Sequence, residues 1–302
     1  MKVLCIGHAA YDITLPVDSF PTENIKYRVE KRVECGGGPA SNAAYLLQMW
    51  GIDTYFAGIV GNDVYGNKIK EDFESIGVNT KYLELNDKYE TTSSFIIANN
   101  KNGSRTIFGY RPTEMKMKDI EIDFIPDLIL VDGHEYELSK KMFKKYPYAI
   151  KVIDAGRNNK EVLELCKMAD YVACSKDFAE SVTNIKINYT YTNTIVETMN
   201  ELKDIFDDTK IIITLEDKGC VYQKNGSTKI MPSIKVKPID STGAGDIFHG
   251  ALAYGLAKKF SFEKTLKYAN IAGGLSVEHI GGRFSIPKLE KVEKKYDKFS
   301  WL

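Results

Sequence analysis

Short apolar runs alternate with amphipathic segments along most of the chain. Residues 3–6 and 54–60 have the apolar character of buried strands, and residues 40–50 between them carry apolar side chains at helical spacing. Later apolar runs and amphipathic segments keep the same alternation; the runs are residues 128–131, 149–153, 171–174 and 210–215, and the segments include residues 161–169 and 195–206. This order predicts βαβ units, and therefore an α/β fold with a mainly parallel sheet covered by helices on both faces.

Two regions depart from this rhythm. Residues 12–34 and 91–110 alternate like exposed antiparallel strands, and the second region contains the turn sequence Asn99-Asn100-Lys101-Asn102-Gly103. We interpret them as one accessory sheet, formed by about residues 12–34 and 88–112. Because no repeat, low-complexity stretch or Pro-rich linker interrupts the chain, residues 1–302 are predicted to form a single domain, closed by helices at 262–279 and 288–298.

Composition narrows the class of protein. Lys plus Arg and Asp plus Glu both number 41 and the pI is about 6.9, so a nucleic-acid partner is not expected. The five cysteines are scattered without a Cys-x-x-Cys pair, which argues against a disulfide framework or a zinc site. No apolar stretch approaches the roughly 20 residues of a membrane span, so we expect a cytoplasmic protein without membrane partners.

The most informative segment is residues 240–246, Asp-Ser-Thr-Gly-Ala-Gly-Asp, directly before a predicted helix at 247–258. Backbone N–H groups at Gly243, Ala244 and Gly245 would lack intrahelical partners and can bind an anion such as phosphate. Asp246, in the first turn, can accept a proton from a hydroxyl beside that phosphate, as phosphoryl transfer to an alcohol requires. The alternative is a helix N-cap with a favourably placed Asp.

A second glycine cluster lies at residues 35–44, also where an extended segment turns into a helix. Glycine allows close approach of a ligand, Pro39 suits the first helical turn, and Asn42 offers both a donor and an acceptor to a polyol. Alternatively, Asn42 is a local cap and the glycines form a tight turn. The pattern is not Gly-x-Gly-x-x-Gly and does not follow the first strand, so a nicotinamide-type dinucleotide site is not supported.

Polar residues end several predicted strands. Asp12 follows the first strand, Asp132 follows residues 128–131, and Asp154 follows the run that ends at residue 153. Each could be only a turn residue. Because the carboxyl ends of parallel strands meet at one edge of a sheet, one cleft explains the strand ends and both glycine clusters together.

In this order and separation, the two clusters resemble the ribokinase-like (PfkB) carbohydrate kinase family, whose two signatures match residues 37–42 and 240–246. The resemblance covers nearly the whole chain. It implies a three-layer α/β/α fold with a small β-sheet lid, and ATP-dependent phosphorylation of a sugar or nucleoside hydroxyl with Mg²⁺.

The resemblance also implies roles for residues. Asp246 would be the general base, and Gly243, Ala244 and Gly245 would form an anion hole for the transferring phosphate. Substrate-binding positions would be Asp12, Gly37, Gly38, Asn42, Asp132 and the lid arginine Arg105.

The nucleotide side departs from the family pattern. Residues 214–219 match a Thr-x-Gly-x-x-Gly turn at Thr214 and Gly219, but Glu216 replaces the first glycine. A carboxylate there would repel phosphates unless it turns away. Ser175 and Phe178 stand where many members have Asn-x-x-Glu, with Glu180 as a weak substitute for the glutamate; Asn270 lies in a helix similar to the one lining the family's adenine pocket.

Many family members use a monovalent cation held mainly by carbonyl groups, so a K⁺ requirement is possible. The comparable positions here are Asp240, Thr242, Ser276, His279, Gly281 and Ser285.

These features favour a sugar kinase acting on an unphosphorylated ketohexose or pentose, because Asp12, Asn42 and Asp132 supply acceptors for several hydroxyls. A nucleoside kinase is the alternative, and a phosphosugar kinase is a further one, since Arg105 and Arg111 could hold a phosphate. Glu216 and Phe178 raise a non-enzymatic alternative, a sugar-binding regulator with the same fold; an unrelated α/β oxidoreductase would instead hold a dinucleotide. The exposed lid strands suggest a homodimer formed by lid pairing.

Overall fold

A computed structural model describes residues 1–298, and its centre is a nine-stranded sheet. The strands of this large sheet, in spatial order, are β13 (Ser227–Met231), β12 (Cys220–Lys224), β11 (Lys210–Thr214), β10 (Tyr171–Ser175), β9 (Ile150–Ala155), β8 (Leu128–Val131), β1 (Lys2–Ile6), β4 (Asp53–Gly61) and β5 (Asn79–Asn86). The seven strands from β11 to β5 run parallel, and β12 and β13 add an antiparallel edge.

Helices cover both faces of this sheet. They are α1 (Pro39–Met49), α2 (Val64–Ser75), α3 (Tyr136–Lys145), α4 (Lys160–Met168), α5 (Lys176–Thr183), α6 (Asn193–Phe206), α7 (Ala244–Ala257), α8 (Phe262–Ser276) and α9 (Leu289–Lys298). One apolar core lies beneath α1, α2, α7, α8 and α9, and a second lies beneath α3 to α6.

Side chains of the interior strand β1 show why a strand between two helical layers carries apolar residues on both of its faces. Val3 and Cys5 belong to the first core, whereas Leu4 and Ile6 belong to the second. The predicted three-layer α/β/α fold is therefore confirmed.

A small sheet of four strands packs beside the large one. Its order is β3 (Val33–Gly37), β2 (Ala10–Val17), β6 (Ser93–Asn99) and β7 (Arg105–Tyr110). The turn predicted at residues 99–103 joins β6 to β7, with the Gly103 N–H donating to the Asn99 carbonyl at 2.8 Å. All of β7 is exposed on this sheet edge.

Two expectations for this region were wrong in detail. Strands β2 and β6 pair parallel rather than antiparallel, because β6 enters the sheet after a long excursion through the large sheet instead of through a hairpin. Residues 18–32 form no strand and are all exposed, so alternation over residues 12–34 overstated the regular structure.

Two further observations concern the cysteines and the possibility of membrane-spanning helices. All five cysteines are buried free thiols. Within residues 1–298, no helix combines the length and the apolar character needed to cross a bilayer.

Candidate active site

The N-terminus of α7 is built around a glycine that an ordinary residue could not replace cheaply. Gly243 is the N-cap with φ of 75°, and a Cβ added there would lie 3.0 Å from the Cα of Gly282. The helix begins at Ala244, three residues earlier than predicted. The Ala244 N–H donates to the Ser241 carbonyl at 3.3 Å, whereas Gly245 faces open space. An anion could therefore approach the helix at Gly245.

Asp246 is the third residue of α7, and its carboxylate meets the other glycine cluster. The Asn42 side-chain Nδ2 donates to Asp246 Oδ2 at 2.7 Å, across 204 positions of sequence. Gly38 occupies the N-cap position of α1 and provides no side-chain cap, so Asn42 is not the local cap considered as an alternative. The two clusters thus form one site.

The surroundings of Asp246 favour a carboxylate that can take up a proton. Burial, and next the charge of Asp154, raise the pKa of Asp246 to about 6, while the Asn42 hydrogen bond and His249 act in the opposite direction. His249, one turn along α7, lies with Nδ1 2.5 Å from Asp154 Oδ2. Burial lowers the pKa of His249, but Asp154 and Asp246 together raise it by more, so the net shift is upward. A base with a pKa near the working pH suits general-base catalysis.

Asp12 lies in β2 against the first glycine cluster. A Cβ on Gly37 would fall 2.0 Å from Asp12 Oδ2, and one on Gly38, whose φ is 94°, would fall 2.5 Å from the His8 carbonyl oxygen. Burial raises the pKa of Asp12 to about 6, against a hydrogen bond from Ser94 and the charge of Arg283. Both glycines are therefore needed for the local packing.

Asp132 has a full set of protein partners. Its Oδ2 accepts from the backbone N–H of His8 at 2.8 Å and of Ala40 at 3.1 Å, and its Oδ1 accepts from the His134 N–H at 3.0 Å. Burial raises the pKa of this carboxyl, but the interactions with His134 and His8 and the hydrogen bonds that it accepts hold the pKa below its usual range. Its carboxylate therefore fixes the ends of β1 and β8 and the start of α1, which leaves little capacity for a sugar hydroxyl.

Arg105 connects the small sheet to the second glycine cluster. Its Nη1 donates to the Ser241 hydroxyl at 2.7 Å, and that hydroxyl donates to the Gly103 carbonyl at 2.9 Å. The tip of the β6–β7 hairpin thereby lies beside the turn that precedes α7, which places an arginine at the candidate anion site.

The turn at residues 214–219 keeps glycine-like geometry despite its substitution. Glu216 has φ of 53°, a conformation that costs a non-glycine residue roughly 1–2 kcal/mol. Gly219, with φ of 96°, has no room for a Cβ, which would lie 2.0 Å from the Met231 carbonyl oxygen. Thr214 ends β11 and donates to the Cys174 carbonyl at 3.2 Å. The backbone of a glycine turn is thus kept at the price of strain at Glu216.

Other nucleotide-side residues are engaged within the protein. Ser175 is the N-cap of α5 and accepts from the Phe178 N–H at 3.1 Å. Glu180 accepts from Lys186 Nζ at 2.7 Å and from the Ile187 N–H at 3.0 Å, so it does not present a free carboxylate. Asn270 is buried, with its Nδ2 3.5 Å from both Cys220 Sγ and the Met231 carbonyl oxygen.

The residues compared with a monovalent cation site gather around Asp240. This buried carboxylate accepts from the Thr242 N–H and the Gly281 N–H, both at 2.9 Å. Ser276 and Ser285 each donate to a nearby carbonyl, and the His279 N–H donates to the Ser276 carbonyl at 3.1 Å. Within residues 1–298 the buried Thr242 Oγ1 has no hydrogen-bond partner, an orphan oxygen that fits a cation or water beside this loop.

Sequence reasoning missed Arg283 altogether. Its position in the loop after α8 carries no motif, yet its side chain is fully buried and reaches Asn42. Its burial depends on pairing with the carboxylate of Asp72, and no spacing in the sequence indicates that these two residues meet.

Comparison with known proteins places this geometry in context. A family model described as pfkB family carbohydrate kinase matches residues 1–289. Similar curated proteins include a nucleoside kinase from Methanocaldococcus jannaschii, 24% identical with 98% of this chain and 97% of that protein covered. A ribokinase from Lactococcus lactis is 25% identical over 97% and 96% of the two chains, and a mouse ketohexokinase is 24% identical over 90% and 95%.

Solved structures share the same fold. A candidate ribokinase from Agrobacterium tumefaciens superposes with a TM-score of 0.89, at 24% identity over 98% and 97% of the two chains. A ribokinase from Arabidopsis thaliana, complexed with ribose and ATP, has a TM-score of 0.79 at 21% identity over 99% of each chain. A candidate ribokinase II from Escherichia coli, in complex with ATP and Mg²⁺, has a TM-score of 0.80 at 18% identity over 99% of each chain.

Proposed function

The chain belongs to the pfkB family of carbohydrate kinases, and we propose that it transfers the γ-phosphate of ATP to a hydroxyl group of a free ketohexose or pentose, such as fructose or ribose. Its reaction class is that of a phosphotransferase with an alcohol group as acceptor. The observation that carries the proposal is the 2.7 Å hydrogen bond between Asn42 and Asp246. It joins a candidate sugar-binding amide to a candidate base at the N-terminus of α7.

In the proposed reaction Asp246 removes the proton from the acceptor hydroxyl. Asn42 orients the Asp246 carboxylate, and its remaining N–H can donate to the acceptor. Backbone N–H groups of Gly243, Ala244 and Gly245 bind the charge that develops on the transferring phosphoryl group; the Ala244 N–H would exchange its 3.3 Å contact with Ser241 for the anion. When bound, ATP with Mg²⁺ supplies the phosphoryl group and neutralises part of its charge.

Other residues would bind and enclose the substrates. Asp12, beside Gly37 and Gly38, would accept hydrogen bonds from sugar hydroxyls. Arg105, on the small sheet, would stabilise the negative charge of the transferring phosphoryl group. Closure of this sheet over the acceptor would exclude water, which competes as a phosphoryl acceptor. The nucleotide would lie along the turn at residues 214–219 and beside Asn270.

The proposed acceptor follows from acidic groups at the sugar side. Asp12 and Asp246 are two carboxylates near the acceptor position, and each carboxylate would repel a phosphorylated sugar. A nucleoside is the second candidate, because the nucleoside kinase from M. jannaschii resembles this chain over nearly its full length. The ketohexokinase and ribokinase relatives support the free sugar.

Three further properties belong to the same proposal. A K⁺ ion would bind near Asp240 and the Thr242 hydroxyl, which has no other partner within residues 1–298, and would fix the conformation of the anion-binding turn. A homodimer would form through the exposed face of the small sheet, and the enzyme would work in the cytoplasm.

The decisive experiment measures ADP release from Mg·ATP with K⁺ present, across free ketoses, aldoses, nucleosides and phosphosugars. Asp246→Asn is the matched control because it keeps the shape of the side chain and removes the base. Stimulation by a free sugar, lost in the variant, supports the proposal; stimulation by a nucleoside selects the second candidate. Binding of sugar without any ADP release would instead favour the sugar-binding regulator.

A further inference from the structure

We propose that Arg283 is a positioning residue that holds Asn42 in the orientation needed to support Asp246. The inference rests on the proposed function of Asp246 as the base. Arg283 touches neither Asp246 nor the anion-binding turn through any hydrogen bond of residues 1–298, and its charge acts on Asp12, so its hydrogen-bonded path to Asp246 runs through Asn42.

Arg283 is a buried cation with a full set of partners. Its guanidinium has no exposed surface; Nη1 donates to Asp72 Oδ2 at 2.6 Å, Nη2 donates to the Ser41 hydroxyl, and Nε donates to Asn42 Oδ1 at 3.4 Å. The aromatic rings of Tyr45 and Phe73 lie 5.0 and 4.8 Å from its central carbon. These contacts connect α1, α2 and the loop after α8.

The contact between Arg283 and Asn42 fixes which way the Asn42 side-chain amide points. A carboxamide accepts at its oxygen and donates at its nitrogen, arginine can only donate, and an ionised carboxylate can only accept. With its oxygen toward Arg283 and its nitrogen toward Asp246, Asn42 is satisfied at both ends. The reversed amide would set two donors against each other on one side and two acceptors on the other. Arg283 and Asp246 therefore impose the same orientation from opposite sides.

The first glycine cluster makes room for this arginine. A Cβ on Gly36 would lie 2.0 Å from Arg283 Nη1, so Gly36 leaves the space that the guanidinium fills. Gly36 has no assigned role in binding the substrate. Burying a cation costs free energy that well-packed apolar side chains would not cost, and the contact with Asn42 gives that burial a function.

A double-mutant cycle between Arg283→Met and Asn42→Ala tests the inference, with kcat, both KM values and thermal unfolding measured for each variant. Arg283→Met should lower kcat about 10- to 100-fold, as expected for a misplaced catalytic group, with little change in the KM for ATP. In the Asn42→Ala background the same substitution should change kcat by no more than about twofold, because the path to Asp246 is already broken.

Two variants separate positioning from simple loss of stability. Lys151→Met removes another buried cation, which donates to the Pro147 and Ala149 carbonyls at the start of β9, the end of the strand that lies away from Asp154. This variant should lower stability without lowering kcat. Arg283→Lys keeps the charge but loses the planar fork, so it should fold and show an intermediate loss; it replaces Arg283→Met in the cycle if that variant does not fold. A wild-type kcat in these Arg283 variants, or an equal loss with and without Asn42, would overturn the inference.

A readout independent of turnover is the side-chain NH₂ signal of Asn42 in ¹⁵N-correlated NMR spectra. We expect two resolved, slowly exchanging proton signals in the wild type and at least about tenfold faster exchange with water in Arg283→Met, since the amide is no longer fixed. Unchanged exchange contradicts the inference even if no acceptor is phosphorylated. Failure of the wild type on every acceptor, with the expected NMR change, counts against the proposed function alone.

Discussion

The Arg105 guanidinium donates a 2.7 Å hydrogen bond to the Ser241 hydroxyl, and so joins the small sheet to the turn that begins α7. This contact spans 136 positions of sequence and places a positive charge beside the candidate anion site. The small sheet therefore contributes a cationic group beside the candidate anion site.

Arg105→Ala should lower kcat about 10- to 100-fold, because charge stabilisation of the transferring phosphoryl group is lost. Arg105→Lys should fall between the two, since lysine keeps the charge without the planar fork. Lys101→Ala, at the exposed tip of the same hairpin, is the control and should leave kcat unchanged. Steady-state kinetics decide the matter: equal rates for Arg105→Ala and the control would remove Arg105 from the mechanism.

Asp246→Asn should lower kcat by roughly 10² to 10⁴, the usual range for loss of a general base. The variant should also be more stable at pH 8. A carboxyl whose pKa is raised to about 6 binds its proton more tightly in the folded than in the unfolded state, so folded stability falls as pH rises through that range. The amide removes this penalty, and the unfolding temperature should rise by roughly 2–4 °C for each kcal/mol recovered.

Thermal unfolding at pH 4 and at pH 8 checks this second effect. The stabilisation should be small at pH 4, where Asp246 is protonated in the folded protein, and larger at pH 8. An equal change at both pH values would mean that the gain has another origin. Asp12, whose pKa is also raised to about 6, is present in both proteins. Its own titration therefore contributes to the stability of the wild type and of the variant alike.

The pH dependence of kcat/KM should show an acid limb near pH 6, with activity rising as Asp246 loses its proton. His249→Gln should move this limb to higher pH for two reasons. The substitution removes a cation that lowers the pKa of Asp246, and it leaves the Asp154 carboxylate, which raises that pKa, without its partner. Rates from pH 5 to 9 for both proteins test this, and an unmoved limb would separate His249 from the base.

Most of the fold could be predicted because apolar periodicity is a local signal. The predicted runs at residues 128–131 and 210–215 differ from β8 and β11 by one residue at most, and the helix predicted at residues 195–206 lies within α6. The pairing of β2 with β6 could not be predicted in the same way, because strand partners in a sheet are chosen by tertiary packing across tens of residues.

For the site as well, local motifs could be predicted, whereas contacts between distant residues could not. Motif spacing indicated Asn42 and Asp246, and the polar strand ends placed both glycine clusters at one cleft, but the hydrogen bond between the two residues is a property of the folded chain. Arg283 and the saturation of the Asp132 carboxylate depend on partners brought from other elements. The resemblance therefore suggested Asp132 as a substrate ligand, and the amides that its carboxylate binds are seen only in the folded chain.

Glu216→Gly should relieve backbone strain and lower the KM for ATP, because glycine adopts a φ of 53° without cost and removes a carboxylate from the predicted phosphate side. Glu216→Gln is the matched control, since it removes the charge and keeps the strain. A lower KM in both variants assigns the effect to charge, and a lower KM in Glu216→Gly alone assigns it to the backbone. No change in either variant would place Glu216 away from the nucleotide.

Phe108→Asp should convert a homodimer to a monomer if the small sheet is the dimer interface. Phe108 is 63% exposed on β7, and Ile107 and Tyr110 beside it are also exposed. Ile125→Asp is the control, because Ile125 is 80% exposed but lies outside the small sheet. Light scattering after size exclusion measures the mass; a wild-type monomer would refute lid pairing directly.

The interior position of β1, between β8 and β4, has a consequence for the order in which the large sheet can assemble. Of the two strands that flank β1 in the large sheet, β4 ends at residue 61, whereas β8 ends at residue 131. Until β8 has been synthesised, one edge of β1, which is apolar from Val3 to Ile6, stays unpaired, and contacts of such long sequence separation form slowly. Unpaired apolar strand edges promote aggregation, so the interval between synthesis of β4 and of β8 is the stage at which the nascent large sheet is most exposed to it.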